Sequence, residues 1–127
     1  MTSLLATRKI LIVDDYPDSR TLLATLLRSK GYDVLEADNG YDGVQQAANE
    51  KPDLILMDLA MPQLDGVAAI QRIRQLPELA TTPIFVLSAY MMSDVRDDAM
   101  AAGCDEVFTK PFDIPALLER IDARLNG

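Results

Sequence analysis

The chain alternates between short apolar runs and segments with helical periodicity, and this alternation restricts it to few folds. Five strand-like runs occupy residues 9–13, 32–37, 53–58, 83–88 and 105–109. Each run is followed by a stretch in which apolar residues recur at helical spacing, which is the β/α pattern that builds parallel sheets. A chain of 127 residues has the usual size of one domain. The sequence therefore predicts one α/β domain of five strands and five helices over residues 1–127, with its core at about 8–125.

The helices differ in how clearly the sequence marks them. Leu22, Leu23, Leu26 and Leu27 form an apolar stripe in the first helix, and Gly31 follows where a left-handed residue would end it. The fourth helix is the weakest, because most of its surface is polar. We therefore expect the fourth helix to be loosely anchored to the sheet. Residues expected to begin the third and fifth helices are Asp65 and Asp113.

The composition of the strands predicts how the sheet is covered. Strands 1, 3 and 4 are continuous apolar runs, which is typical of parallel strands with helices on both faces. In such a doubly wound sheet, right-handed crossovers put the carboxyl ends of all strands at one edge, where ligands bind. The longest irregular connection, residues 77–83, lies at the other edge and is predicted to be a plain loop. Candidate functional residues at the carboxyl edge are Asp14, Asp15, Asp58, Ser88 and Lys110.

Composition excludes several kinds of function. With a formal charge of −8, the chain lacks the basic surface that binds nucleic acid or an anionic membrane. It has no histidine, so it cannot form a Ser-His-Asp triad, and a single cysteine, Cys104, cannot form an internal disulfide or a cysteine-rich zinc site. We expect Cys104 to be a small residue packed after a helix end. The N-terminus is unlike a secretory signal, so we expect a cytoplasmic protein without direct contact to nucleic acid or membrane.

Three carboxylates stand where apolar strands end, and carboxylates at such positions are costly unless they serve chemistry. Asp14 and Asp15 are adjacent, and side chains alternate across a strand, so this pair must lie where strand 1 turns into a loop. Together with Asp58 they offer only oxygen ligands, which favours Mg2+. With Lys110 as a positive charge and Ser88 as a hydroxyl donor, the set fits phosphoryl transfer to a carboxylate, for which Asp58 is the best nucleophile candidate.

Taken in order, these motifs resemble the receiver domains of two-component response regulators, and the resemblance covers essentially the whole chain. The motifs are Asp14-Asp15 after the first strand, Asp58 followed by Met61-Pro62 and Asp65-Gly66, Ser88-Ala89, and Lys110-Pro111-Phe112. The resemblance implies a flavodoxin-like doubly wound sheet with strand order 2-1-3-4-5.

The resemblance also implies a role for each site residue. Asp15, Asp58 and the backbone carbonyl of Ala60 would bind Mg2+ directly, and Asp14 would act through water. Asp58 would accept a phosphoryl group from a sensor histidine kinase or a histidine phosphotransfer protein, Lys110 would contact it, and Ser88 would move toward it. The surface of helix 4, strand 5 and helix 5 would then change and control a downstream target. We therefore expect a switch that catalyses only its own phosphorylation and dephosphorylation.

Other positions give more specific expectations. Val107 stands where the family has a switch aromatic, three residues before Lys110, and Phe108 should face the other side of strand 5. Tyr90 and Ala60 occupy positions that modulate dephosphorylation in the family. Tyr90 is either a barrier to water at the site or a surface aromatic for a partner. The Lys110-Pro111 bond is expected to be cis.

Two alternatives remain at the level of the sequence. A pseudo-receiver would keep the fold and act without phosphorylation, but such modules usually lack an acid or the lysine. A magnesium-dependent phosphohydrolase also uses an aspartyl nucleophile. In that class the nucleophile usually ends strand 1 and a second aspartate lies two residues further on, whereas Asp14 and Asp15 are adjacent. The chain ends directly after the fifth helix, which favours a stand-alone receiver over a piece of a larger regulator. A phosphorylation-dependent dimer is left open.

Overall fold

The computed structural model describes residues 7–59, 65–89, 93–110 and 113–126, without the side chains of residues 89, 93–95 and 110. The strands are β1 (Lys9–Val13), β2 (Asp33–Ala37), β3 (Leu54–Asp58), β4 (Ile84–Ala89) and β5 (Glu106–Lys110). The helices are α1 (Pro17–Ser29), α2 (Gly40–Glu50), α3 (Gly66–Arg74), α4 (Ser93–Ala102) and α5 (Ile114–Asn126). The predicted strands agree with these bounds to within a residue at each end.

All five strands are parallel and lie in the order β2-β1-β3-β4-β5, which confirms the predicted fold. Val13 at the end of β1 pairs with Ala37 on one side and with Met57 on the other. Asp58 at the end of β3 pairs with Leu87, so Ser88 lies one residue further along the adjacent strand. The ends of β1 and β3 and the last residues of β4 are therefore at the same edge of the sheet.

Apolar side chains cover both faces of the sheet, as the continuous apolar runs predict. On one face, Leu11, Ile55 and Val86 pack in a cluster that includes Ile70 and Ile73 of α3. On the other face, strand residues pack against α1 and α5, and this second cluster contains Ile10, Ile12, Leu56, Phe85, Leu27, Leu117 and Ile121. Apart from Lys9 at the start of β1, the residues described in β1, β3 and β4 are buried as a result, which holds the strand ends in fixed positions.

Several predicted helix boundaries are confirmed by the observed caps. Gly31 has a φ of 98° just after α1, a left-handed conformation that glycine adopts without strain. The Asp65 side chain accepts a hydrogen bond from the Ala68 amide at 2.9 Å and begins α3. Asp113 similarly accepts a hydrogen bond from the Ala116 amide at 3.2 Å at the start of α5. These two acids therefore serve as helix caps.

Two sequence predictions about packing are wrong. The predicted stripe of α1 included Leu22, but this side chain is 49% exposed, while Leu23, Ala24 and Leu27 face the sheet. The buried side of α1 is therefore rotated relative to the predicted stripe and includes the small Ala24. The connection at residues 77–83 is not a plain loop: Pro77–Leu79 form a 3-10 turn, and Leu79 is buried against the core.

Candidate functional site

The candidate site lies at the carboxyl edge of the sheet, where three strands bring polar side chains into an apolar surrounding. Asp14, Asp58 and Ser88 are buried, with relative exposures of 0%, 6% and 3%. They are the buried polar or charged residues of the described chain. Burial of charged groups without compensation is costly, so these three residues are the main exception to an otherwise apolar interior.

Asp14 and Asp15 lie just beyond β1, where the sequence predicts them, and they differ in burial. Asp14 is buried and Asp15 is exposed. The Asp14 amide continues the β1–β2 ladder by donating to the Ala37 carbonyl at 3.0 Å. Its Oδ1 accepts a hydrogen bond from the Tyr16 amide at 3.0 Å, which closes a tight turn ahead of α1. The turn therefore fixes the Asp14 carboxylate relative to the strand.

The carboxylates of Asp14, Asp15 and Asp58 converge. Each can offer one oxygen such that the three oxygens lie within 4.8 Å of one another. Among the residues that the structure describes, Asp14 Oδ2 is buried without a hydrogen-bond partner. A buried carboxylate oxygen is costly to leave in this state, and a cation beside it would remove that cost. The donor set is all oxygen, which fits Mg2+.

A close approach between α3 and β3 fixes the position of Asp58. The Gly66 amide donates to the Leu59 carbonyl at 3.1 Å. A Cβ atom at Gly66 would lie 2.7 Å from Leu59 Cα and closer still to the Asp58 carbonyl oxygen, so only glycine fits without displacing the backbone. The sequence marked Gly66 as part of a helix start and of a motif in the resemblance. Its role depends on a contact between two elements that a linear sequence does not reveal.

Several predicted positions lie outside the described residues. Ala60, Tyr90 and Pro111 belong to the undescribed segments, and with them the expected carbonyl ligand, the proposed water barrier and the cis bond. The backbone of Lys110 ends β5, but its side chain is not described. The described part of the predicted site thus contains the carboxylate cluster and Ser88.

The position of the absent switch aromatic is described. Val107 packs with the cluster on the α3 face of the sheet, and Phe108 packs on the opposite face, 5.5 Å from the Phe85 ring. The expectation that Phe108 faces away from Val107 is confirmed. Phe108 therefore cannot replace an aromatic at position 107 without a reversal of the strand.

Cys104 is a packing residue, as predicted. It lies two residues after the end of α4 and is buried. Burial, with the nearby Asp105 carboxylate, raises the pKa of its thiol. The thiol is therefore protonated at neutral pH, and a protonated thiol is a poor nucleophile.

Comparison with known proteins identifies the family. The sequence model described as the response regulator receiver domain matches residues 10–122. This chain is a member of the receiver domain family. The match includes the five strands and all three clustered carboxylates.

Individual relatives agree with this assignment. Protein PilH of Pseudomonas aeruginosa is 37% identical over 119 residues, which are 94% of this chain and 98% of PilH. The DNA-binding dual master transcriptional regulator RpaA of Synechocystis is 37% identical over 118 residues, and the chain spans only 49% of that protein. A crystal structure of the receiver domain of the sensor histidine kinase PA1611 from Pseudomonas aeruginosa, with a magnesium ion in its active site cleft, has a TM-score of 0.87 and 32% identity, covering 96% of this chain and 100% of that one.

As a member of this family, the chain belongs to two-component systems, which signal through phosphorylation. The acid cluster of this receiver domain is compatible with the Mg2+ that the PA1611 structure contains. Within the described segments, no helix has the length and apolar character needed to cross a membrane.

Proposed function

We propose that this receiver domain, taken as one unit over residues 1–127, is a signalling switch that accepts a phosphoryl group on Asp58. The observation that carries this proposal is the convergence of three carboxylates, two of them buried, at the carboxyl edge of the sheet. Structural aspartates usually cap helices or turns, as Asp65 does here. Three like charges at one edge of the sheet repel one another, and a bound cation would offset that repulsion.

Each residue of the cluster has a separate role. Asp15, Asp58 and the Ala60 carbonyl would hold Mg2+, and Asp14 would act on it through water. When bound, Mg2+ neutralises charge on the carboxylates and on the incoming phosphoryl oxygens. The turn at Tyr16 holds the Asp14 carboxylate, which offers one oxygen to the cluster.

Phosphorylation is a displacement at phosphorus. A carboxylate oxygen of Asp58 attacks the phosphorus of a phosphohistidine on a sensor histidine kinase or a histidine phosphotransfer protein. The new P–O bond forms as the P–N bond breaks, and its electron pair stays on the imidazole nitrogen of the donor. Lys110 contacts the transferred group, and the Ser88 hydroxyl donates a hydrogen bond to it. The protein turns over no other substrate.

The signal leaves through a change of surface. The phosphoryl group adds about −1.5 to −2 charges and strong hydrogen-bond acceptors, which shift an equilibrium between two conformations. The surface formed by α4, β5 and α5 then binds a downstream target protein in the cytoplasm, and a phosphorylation-dependent dimer is one form of this output. With a net charge of −8, this domain itself does not contact nucleic acid or an anionic membrane.

The test is phosphorylation by acetyl phosphate with Mg2+, followed by intact-protein mass spectrometry. We expect wild type to gain one phosphoryl group, and Asp58→Asn to gain none, because the amide is not a nucleophile. Asp33→Asn is the matched control, since Asp33 is exposed at the start of β2, away from the site. Absence of the mass gain in wild type would favour a pseudo-receiver, and continuous release of phosphate from small esters would favour a phosphohydrolase.

A further inference from the structure

Arg20 lies outside the carboxylate cluster but contacts the backbone of Asp14. It lies in the first turns of α1, and its side chain is 18% exposed. One guanidinium nitrogen, Nη1, donates to the backbone carbonyl of Asp14 at 2.8 Å. A second, Nε, donates to Glu36 Oε1 in β2 at 3.2 Å. The guanidinium therefore joins the loop after β1 to the edge strand.

Glu36 is itself held in place by its neighbours. Its other carboxylate oxygen accepts a hydrogen bond from Arg28 at 3.2 Å, and its backbone carbonyl accepts one from Gln46 of α2 at 2.6 Å. The Gln46 amide nitrogen also donates to Asp42 at 3.1 Å. Glu36 thus presents Arg20 with a fixed acceptor, and Arg20 has little freedom to leave the Asp14 carbonyl.

The Asp14 carbonyl belongs to the peptide group that joins Asp14 to Asp15. Because the peptide group is planar, a hydrogen bond to this oxygen also orients the amide and Cα of Asp15. The Asp14 amide is bound to Ala37 and its Oδ1 to Tyr16, so Arg20 supplies the third restraint on this short segment. We infer that Arg20, anchored by Glu36, is a positioning residue that holds the Asp14–Asp15 peptide in the geometry required for Mg2+ binding.

This inference rests on the proposed function, and it predicts the direction in which loss of Arg20 changes the Mg2+ affinity. A positive charge near a cation site weakens Mg2+ binding by electrostatic repulsion, so loss of that charge alone would raise the affinity. Loss of a residue that orients the ligands lowers the affinity, typically by about 10- to 100-fold. The positioning role of Arg20 therefore opposes the effect of its charge.

The experiment is calorimetric titration of the full chain with MgCl2, with urea unfolding without Mg2+ as the measure of stability. Arg20→Lys keeps the charge but cannot make both hydrogen bonds, and Arg20→Gln loses both. We expect both variants to bind Mg2+ about 10-fold or more weakly than wild type. Arg124→Gln is the matched control, because Arg124 contacts Asp105 just before β5, at the opposite edge of the sheet, and it should retain wild-type affinity.

The possible outcomes separate this inference from the proposed function. Wild-type affinity in Arg20→Lys, or a raised affinity in Arg20→Gln, would overturn the positioning role alone. Failure of wild type to bind Mg2+ would overturn the proposed function as well. Should the Arg20 variants not fold, Glu36→Gln is the second test. It keeps the backbone contact with Gln46 but weakens the side-chain contact with Arg20, and it must lower the Mg2+ affinity if the inference is correct.

Discussion

At the scale of one residue, the buried carboxylate of Asp14 lowers the stability of this receiver domain when no metal is bound. Its amide, carbonyl and Oδ1 all have hydrogen-bond partners, yet within the described segments Oδ2 has none. Asp15 and Asp58 lie close by and carry the same charge. The cluster therefore destabilises the metal-free fold and gains stability when a cation binds.

Asp14→Asn should therefore change the free energy of unfolding, in opposite directions without and with Mg2+. The variant keeps an oxygen for the Tyr16 amide but removes one negative charge, so without Mg2+ its free energy of unfolding should rise by about 1 kcal/mol. In Mg2+ the order should reverse, because saturation at 100 times the dissociation constant stabilises the wild type by about 2.7 kcal/mol. Urea unfolding with and without Mg2+ measures both effects. A variant less stable than wild type under both conditions would contradict the claim that the Asp14 carboxylate destabilises the metal-free fold.

The contact between α3 and the end of β3 is the element-scale feature that holds Asp58. Gly66 lets the helix begin directly against the backbone at Asp58 and Leu59. The Asp65 cap fixes the first turn of the same helix. Asp58, the proposed phosphoryl acceptor, is thus supported by a helix start as well as by its strand.

Gly66→Ala should therefore disturb both stability and phosphorylation. The added methyl group forces the backbone apart, which should lower the free energy of unfolding by about 1 to 3 kcal/mol. Gly31→Ala is the control, because Gly31 has a φ of 98° but no atom within 4 Å of an added Cβ. Both variants should be less stable, but only Gly66→Ala should slow phosphorylation by acetyl phosphate. Equal rates in the two variants would show that α3 does not position Asp58.

The elements show which features the sequence could predict. Buried strands appear as uninterrupted apolar runs, so their bounds were predicted closely. The 3-10 turn at Pro77–Leu79 was missed, although proline at its first position and the apolar Leu79 were signals. The sequence does not predict the outward position of Leu22, because four leucines at neighbouring helical positions do not show which of them face the sheet.

At the scale of the whole molecule, α5 is tied to the segment before β2. The Tyr32 hydroxyl donates to Asp122 Oδ1 at 3.0 Å, and Asn126 donates to both partners, at 3.0 Å and 2.8 Å. Burial and the Asp122 carboxylate raise the pKa of Tyr32 to about 12, so its hydroxyl remains a donor at neutral pH. The same contacts, first from Asn126 and then from Tyr32, lower the pKa of Asp122.

This group of contacts predicts a pH dependence. The pKa of Asp122 is lower in the folded than in the unfolded chain, so its stabilising contribution is present above the ordinary pKa of about 3.9 and is lost as pH falls through the folded value. The stability difference between wild type and Asp122→Asn should therefore be largest near neutral pH and decrease in acid. Urea unfolding over pH 7 to about 2.5 measures this difference. In a Tyr32→Phe background the pH dependence of that difference should be smaller, and an unchanged dependence would contradict the assignment.

The whole-molecule view also shows why the sequence revealed only part of the site. Parallel topology follows from the β/α alternation, and topology alone brings Asp14, Asp15 and Asp58 to one edge. Arg20 gave no comparable signal, because its importance depends on the distance between α1 and β2. An arginine on a helix has many exposed equivalents in any sequence, and only the folded chain shows which one reaches the Asp14 carbonyl.

The most direct test of the account is to locate the phosphorylated residue. After incubation with acetyl phosphate and Mg2+, borohydride reduces an aspartyl phosphate to homoserine, which tandem mass spectrometry of peptides can place in the sequence. We predict homoserine at position 58 alone, and none when a chelator removes Mg2+. Homoserine at Asp14 or Asp15, or conversion of Asp58 that does not depend on Mg2+, would contradict the roles assigned to the three carboxylates.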